Sequence, residues 1–109
     1  MKTEFENVSK TLTAYLDNEI DHHSAVDIRM EIDSQIQRLN PKKLVLDYAD
    51  VSFMDSSGIG LIMGRHRLIQ SVGGEIEVRN VPARLYKVVK ISGIEKLGKV
   101  SVKENGGKK

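Results

Sequence analysis

The sequence predicts a single small α/β domain, in which a mixed β-sheet with an N-terminal hairpin is backed by helices. Three observations predict this fold class. Residues 10–20 alternate between apolar and polar side chains, which is typical of a half-buried strand. Further along, strand-like stretches alternate with stretches whose apolar residues recur every three or four positions. The length of 109 residues is enough for one hydrophobic core.

The first half of the chain predicts a hairpin, a helix and a central strand. A short first strand is expected around residues 5–8, before the strand at 10–20. One helix face then follows at spacings of three and four, formed by Ala25, Ile28, Ile32, Ile36 and Leu39. Asn40–Pro41 ends that helix. Residues 43–51 begin as a continuous apolar run, which favours a strand covered on both faces.

The second half predicts a regular alternation of helix and strand with mostly parallel pairing. A helix is expected over residues 59–72. Gly60 and Gly64 share one face of it, and we expect them to let the helix approach another element closely. The remaining elements are a strand at 76–78, a helix from Pro82 packed through Leu85, Val88 and Val89, and a strand at 97–102.

Composition and charge exclude several classes of function. The net charge is only +2, without the concentrated basic face of a nucleic-acid-binding protein. The absence of cysteine excludes disulfides and thiolate metal sites. No apolar stretch reaches membrane-spanning length and none marks a signal peptide, so a cytoplasmic protein without a membrane partner is expected. We assign residues 1–102 to the domain and 103–109 to a polar Lys/Gly-rich tail, and expect a monomer.

The stretch SFMDSSGIG, residues 52–60, carries the strongest chemical signal. Asp55, Ser56, Ser57 and Gly58 fall between a predicted strand and a predicted helix, at the sheet edge where α/β folds bind ligands. One interpretation is a helix cap, because Asp and Ser side chains accept from free backbone N–H groups. A serine nucleophile is a second interpretation. It lacks both the G-x-S-x-G pattern and an evident base.

Phosphorylation is the third interpretation of this turn. A helix N-terminus tolerates a phosphoryl group, and a phosphate beside Asp55 would repel a partner docking at this edge. His22 and His23 raise the question of a metal, but they diverge in direction and no third ligand is placed, so no metal is expected. A polar, partner-facing surface at Asp21 and His22 is the better interpretation. No glycine-rich nucleotide loop is present, and no cofactor is expected.

Two segments together resemble the anti-sigma factor antagonists, a family with the STAS domain. They are residues 18–25, with Glu-x-Asp-His-His, and residues 51–60, with Asp-Ser-Ser-Gly-x-Gly. The resemblance covers residues 5–102 and implies the small mixed sheet shared by sulphate transporters and anti-sigma factor antagonists. The paired histidines and Phe53–Met54 favour its sporulation branch over its general-stress branch. Asn18 replaces the family's usual glycine, and asparagine tolerates a left-handed backbone.

The resemblance implies a regulatory binding protein and not an enzyme. In its unphosphorylated form it would bind a nucleotide-bound anti-sigma serine kinase, which then releases its sigma factor. Phosphorylation of Ser56 would prevent tight binding, and a serine phosphatase would restore it. Asp21 matches the acidic position of the family's docking surface, and Asp55, Ser57 and Gly58 match the rest of its motif. The alternative is a small-ligand-sensing or structural module of the same fold, in which the turn is only a cap.

Overall fold

The computed structural model describes residues 1–104, which form one five-stranded sheet in the order β1-β2-β3-β4-β5. Strands β1 and β2 pair antiparallel as a hairpin, and the other neighbours pair parallel. In chain order the elements are β1 (Lys2–Glu6), β2 (Thr11–Ile20), α1 (His22–Leu39), β3 (Lys43–Met54), α2 (Ser56–Ser71), β4 (Glu75–Val81), α3 (Ala83–Ser92), a short 3₁₀ turn (Ile94–Lys96) and β5 (Lys99–Val102). The predicted α/β class and mixed sheet are confirmed.

Apolar side chains on one sheet face form the core with the helices. Leu12 on β2 lies opposite Leu44 on β3, which lies opposite Ile76 on β4, so equivalent positions stack across the parallel strands. Helix α1 buries Ile32 and Ile36, the interior members of its predicted apolar face. The alternation read from the sequence therefore sets which face of the sheet the helices cover.

Polar side chains on the opposite sheet face pair with each other. Asp47 is only 5% exposed, and its carboxylate accepts from Arg79 Nε at 2.8 Å and from Asn80 Nδ2 at 2.9 Å. Burial by itself raises the pKa of Asp47. The hydrogen bonds from Arg79, the Ala49 N–H and Asn80 outweigh burial, so the pKa of this carboxyl lies below its ordinary value.

This lowered pKa predicts a loss of stability in acid. The folded state holds the Asp47 carboxylate more strongly than the unfolded state does. The ionised Asp47 therefore contributes to the free energy of unfolding at any pH above the ordinary Asp pKa, near 4. That contribution is lost as the pH falls through the lower pKa that this carboxyl has in the folded protein. Asp47→Asn should be less stable than wild type at neutral pH, and the gap should narrow in acid. Urea unfolding across this pH range measures the difference; a constant gap would contradict the assignment.

The hydroxyl of Tyr48 is a polar group buried in the core without a partner. Tyr48 is fully buried, and its Oη has no hydrogen-bond partner among the described residues. A buried hydroxyl without a hydrogen bond costs roughly 1–3 kcal/mol. Tyr48→Phe should therefore raise the free energy of unfolding, measured by chemical denaturation. Tyr15→Phe is the control, because the Tyr15 hydroxyl donates to Glu4 at 3.1 Å, and it should be neutral or slightly destabilising.

Two expectations from the sequence need correction. The close approach expected at Gly60 and Gly64 is wrong, because an added Cβ at either would meet no atom within 4 Å. Val88 is 43% exposed and does not pack α3, whose buried face is formed by Leu85 and Val89.

The tail predicted at 103–109 falls outside the described residues from position 105 onward. Within the described part, the Lys103 N–H donates to Val81 O at 2.8 Å and Lys103 Nζ donates to Ala49 O at 3.0 Å. The boundary after residue 102 stays a prediction. Among residues 1–104, no helix has both the length and the apolar character needed to cross a membrane.

Candidate functional site

Parallel pairing of β2 and β3 brings two helix starts to the same sheet edge. Ile20, the last residue of β2, lies opposite Met54, the last residue of β3. The Asp55 N–H then donates to Ile20 O at 3.2 Å and fastens the two strand ends together. Asp21 and Asp55 follow these ends directly, and each caps a helix. The two sequence segments singled out above are therefore neighbours in space.

Asp21 is the N-cap of α1 and forms a reciprocal capping box. Its Oδ1 accepts from the backbone N–H groups of His23, at 3.0 Å, and Ser24, at 2.9 Å, and its own N–H donates to Ser24 Oγ at 3.0 Å. The hydrogen bond from the Ser24 N–H is the main cause that lowers the pKa of Asp21. His22, the first helical residue, is exposed beside this carboxylate.

Asp55 caps α2 in a similar way, and the turn around it is tightly constrained. Its Oδ1 accepts from the Ser57 N–H at 2.8 Å, and its carbonyl accepts from the Gly58 N–H at 2.9 Å. Position 58 must be glycine in this geometry, because a Cβ there would overlap the Met54 side chain. Capping by Asp55 and close packing at Gly58 together fix the backbone that presents the two serines.

The two serines differ in exposure and direction. Ser56, the first residue of α2, is exposed, and its hydroxyl makes no hydrogen bond to any residue in the described part of the chain. Ser57 is half-buried and faces the space between α1 and α2. Neither hydroxyl hydrogen-bonds to a histidine within residues 1–104, and that same range holds no cluster of three or more potential metal ligands.

A groove of about 360 Å³ runs between α1 and α2 from this edge. It is lined by His22, Ala25, Val26, Arg29, Ser57, Gly60, Leu61, Gly64, Arg65 and Arg67. Sequence reasoning missed this groove and its cations. The available signal was the helical spacing from Ser57 through Leu61 to Arg65, four residues apart at each step, which places them on one face.

Arg65 is the most buried cation of the groove, at 5% exposure. Its Nε lies 2.7 Å from Asp33 Oδ1, and its Nη2 donates to Asp33 Oδ2 at 3.2 Å, so the pair joins α2 to α1. Burial lowers the pKa of Arg65, and the Asp33 carboxylate opposes that shift. This ion pair was also missed from the sequence.

The surface between the end of β2 and α1 is acidic. A shallow pocket of about 240 Å³ is lined by Met1, Asp17, Asn18, Glu19, Ser24, Asp27, Ile28 and Glu31. Asn18 has φ of 58°, the left-handed conformation expected for it, at an irregularity in the β2–β3 pairing. Helix α1 therefore contributes one side to an acidic pocket and another side to the cationic groove.

Comparison with known proteins assigns this architecture to a family. Residues 2–105 match the STAS domain, and the chain belongs to that family. It is similar to the anti-sigma F factor antagonist of Paenibacillus polymyxa, with 37% identity over 97 residues, 89% of this chain and 83% of the relative. It is also similar to the anti-sigma-B factor antagonist of Bacillus subtilis (strain 168), with 30% identity over 89 residues, 82% of this chain and 80% of the relative.

Solved structures agree with this assignment. The anti-sigma factor antagonist SpoIIAA in its unphosphorylated form has a TM-score of 0.72 and 28% identity, covering 95% of this chain and 88% of that one. The Bacillus cell fate determinant SpoIIAA in the phosphorylated form has a TM-score of 0.69 and 31% identity, covering 91% and 90%. The resemblance and fold predicted from the sequence are confirmed, and the relatives support a role as an anti-sigma factor antagonist.

Proposed function

We propose that this protein is a phosphorylation-switched anti-sigma factor antagonist. In its unphosphorylated form it binds a nucleotide-bound anti-sigma serine kinase, which then releases its sigma factor. The observation that carries the proposal is the exposed Ser56 hydroxyl at a capped helix start, beside the second capped start at Asp21. The family supplies the class of partner, since relatives of known name are antagonists of anti-sigma factors.

The proposed docking surface consists of Asp21, His22, Asp55 and Ser57, with Ser56 among them, and the buried Gly58 supports the turn from beneath. A phosphate on Ser56 adds nearly two negative charges beside the Asp55 carboxylate. The N-terminal dipole of α2 helps the fold to tolerate that charge. A partner seated on this edge would have to desolvate the phosphate and face both negative groups, so tight binding is lost.

The remaining parts of the proposal follow the family. The protein acts by binding and not as an enzyme, in the cytoplasm, as a monomer, without a cofactor, nucleic acid or membrane partner. A serine phosphatase removes the phosphate and restores binding. We assign the protein to the sporulation branch, which agrees with the higher identity to the anti-sigma F factor antagonist, 37%, than to the anti-sigma-B factor antagonist, 30%.

Peptide-resolved mass spectrometry after incubation with the host's anti-sigma kinase and ATP tests the proposal. We expect one phosphate, on Ser56, and loss of kinase binding. Ser56→Ala should stay unmodified and bind constitutively, whereas Ser34→Ala, a control at an exposed serine of α1 outside the docking surface, should still be phosphorylated. Phosphorylation of Ser56→Ala at a rate like that of wild type would refute the site. No phosphate at all would make the turn a cap only.

A further inference from the structure

We propose that the groove between α1 and α2 receives an acidic segment of the protein that docks at the Ser56 turn. This inference rests on the proposed function and names the partner's chemistry. His22 and Ser57 belong both to the groove and to the proposed docking surface, so a protein seated on the turn reaches the groove without a gap. The family resemblance assigns no role to the arginines of the groove, Arg29, Arg65 and Arg67.

The charges that line the groove all have one sign. Of the residues that the structure describes, Arg29, Arg65 and Arg67 line it, and no carboxylate does. The positive charges of Arg29 and Arg67 both act to lower the pKa of Arg65, as expected for guanidinium groups held near one another. Neither Arg29 nor Arg67 forms an ion pair within residues 1–104. A segment with carboxylates complements this surface, and a basic one is repelled.

Arg65 has donors left over for such a segment. A guanidinium has five N–H groups, two on each terminal nitrogen. The contacts within the fold are the Nε and Nη2 contacts to Asp33 and a long Nη1 bond to Leu61 O at 3.5 Å. One N–H on each terminal nitrogen therefore has no acceptor in the described part of the chain, although the residue is only 5% exposed and lines the groove.

The two glycines of the groove wall support the same inference. Glycine inside a helix is less stable than alanine, and such a position usually reflects close packing. Within residues 1–104, Gly60 and Gly64 have no packing partner, because a Cβ at either would meet no described atom within 4 Å. Both glycines line the groove. Because they have no side chains, the backbone of an incoming segment can lie directly against α2.

Charge reversal tests the electrostatic part. Binding of the host's anti-sigma kinase, with a non-hydrolysable ATP analogue, is measured for wild type, Arg29→Glu/Arg67→Glu and Lys87→Glu/Lys90→Glu. The last variant changes the net charge equally on exposed positions of α3. We expect the groove variant to bind at least about tenfold more weakly, with a shallower salt dependence, and the α3 variant to bind like wild type. Equal affinities of the two variants would overturn the inference.

A substitution that stabilises the free protein separates binding from folding. Gly64→Leu should raise the melting temperature by roughly 4 °C, because leucine favours a helix and open space receives its side chain. It should nonetheless weaken kinase binding, because it fills the groove. A variant that is more stable and binds like wild type would contradict an occupied groove.

The absence of native cysteine allows the occupant to be identified by crosslinking. Val26→Cys in the groove and Val88→Cys on α3, native valines that are 38% and 43% exposed, are each labelled with a photoreactive maleimide. We expect the label on Val26→Cys to crosslink to a carboxylate-rich peptide of the kinase, and we expect no such crosslink from the label on Val88→Cys. A crosslink to a second copy of this chain, or to a peptide without carboxylates, would overturn the proposal.

Wild type and the Arg29→Glu/Arg67→Glu variant also distinguish a groove that receives a protein segment from a site for small anions. If inorganic phosphate alone stabilises wild type but not Arg29→Glu/Arg67→Glu, and the kinase still binds at saturating phosphate, the inference is wrong. Failure of wild type itself to bind the kinase would refute the proposed function. Binding that depends on Ser56 but not on Arg29 and Arg67 would refute only the role of the groove.

Discussion

Ser56→Asp should weaken binding to the anti-sigma kinase roughly 30- to 1,000-fold, about 2–4 kcal/mol. The substitution places a second carboxylate directly beside Asp55, on an edge where the partner must displace water. The new charge lies at the start of α2, where a negative group is favourable, so the melting temperature should stay close to that of wild type. Calorimetric titration with the kinase measures the binding, and thermal unfolding measures the stability.

Ser34→Asp is the control for this experiment. Ser34 is exposed on α1, so its replacement changes the net charge by the same amount away from the turn. It should leave kinase binding within about twofold of wild type, since isolated surface charges contribute little. If Ser56→Asp and Ser34→Asp bind equally well, charge at position 56 is not what controls the complex.

Asp33→Ala should lower the free energy of unfolding by roughly 3 kcal/mol, the lower end of the range for breaking a buried ion pair. The carboxylate holds a guanidinium whose side chain is only 7% exposed, and its removal leaves the Arg65 charge buried without a counter-charge. Arg65→Met should cost less, because Asp33 is 28% exposed and water can solvate it. Urea denaturation of the two variants measures this asymmetry.

The double replacement Asp33→Leu/Arg65→Met separates the ion pair from the packing around it. Exchanging a buried pair for apolar groups of similar volume is often neutral or stabilising, so this variant should recover most of the loss. A double variant less stable than Asp33→Ala would show that the shape of the Arg65 side chain, and not its charge, holds α1 against α2. An Asp33→Ala effect below about 0.5 kcal/mol would show that water already screens the pair.

The parts of the fold that were predictable from the sequence are those that depend on residues close together in the chain. The alternation in β2, the apolar face of α1 and the capping residues each involve neighbours within four positions of the chain, and the structure agrees with them. The pair of Asp33 and Arg65 was not predictable, because its partners are 32 residues apart and polar side chains on helices usually face water. Local sequence does not record which polar residues meet.

Gly60 and Gly64 show the same limit at the candidate site. Their spacing correctly indicates a shared helix face, but it does not say what lies opposite that face. Packing was the common explanation, and the structure has open space instead. Ser56 was placed at a helix start from its neighbours alone, whereas its assignment as the phosphorylated residue came from the family resemblance.

The hydrogen bond from the Asp55 N–H to Ile20 O bears on how phosphorylation at this edge would alter the protein. Because this bond joins the start of α2 to the end of β2, we expect a phosphate on Ser56 to act through its own charge and bulk and not through a movement of the backbone. The same architecture matches SpoIIAA in both its unphosphorylated and its phosphorylated forms. Under the proposed function, the kinase and the phosphatase would then set the timing of the switch, and a conformational step of this protein would not.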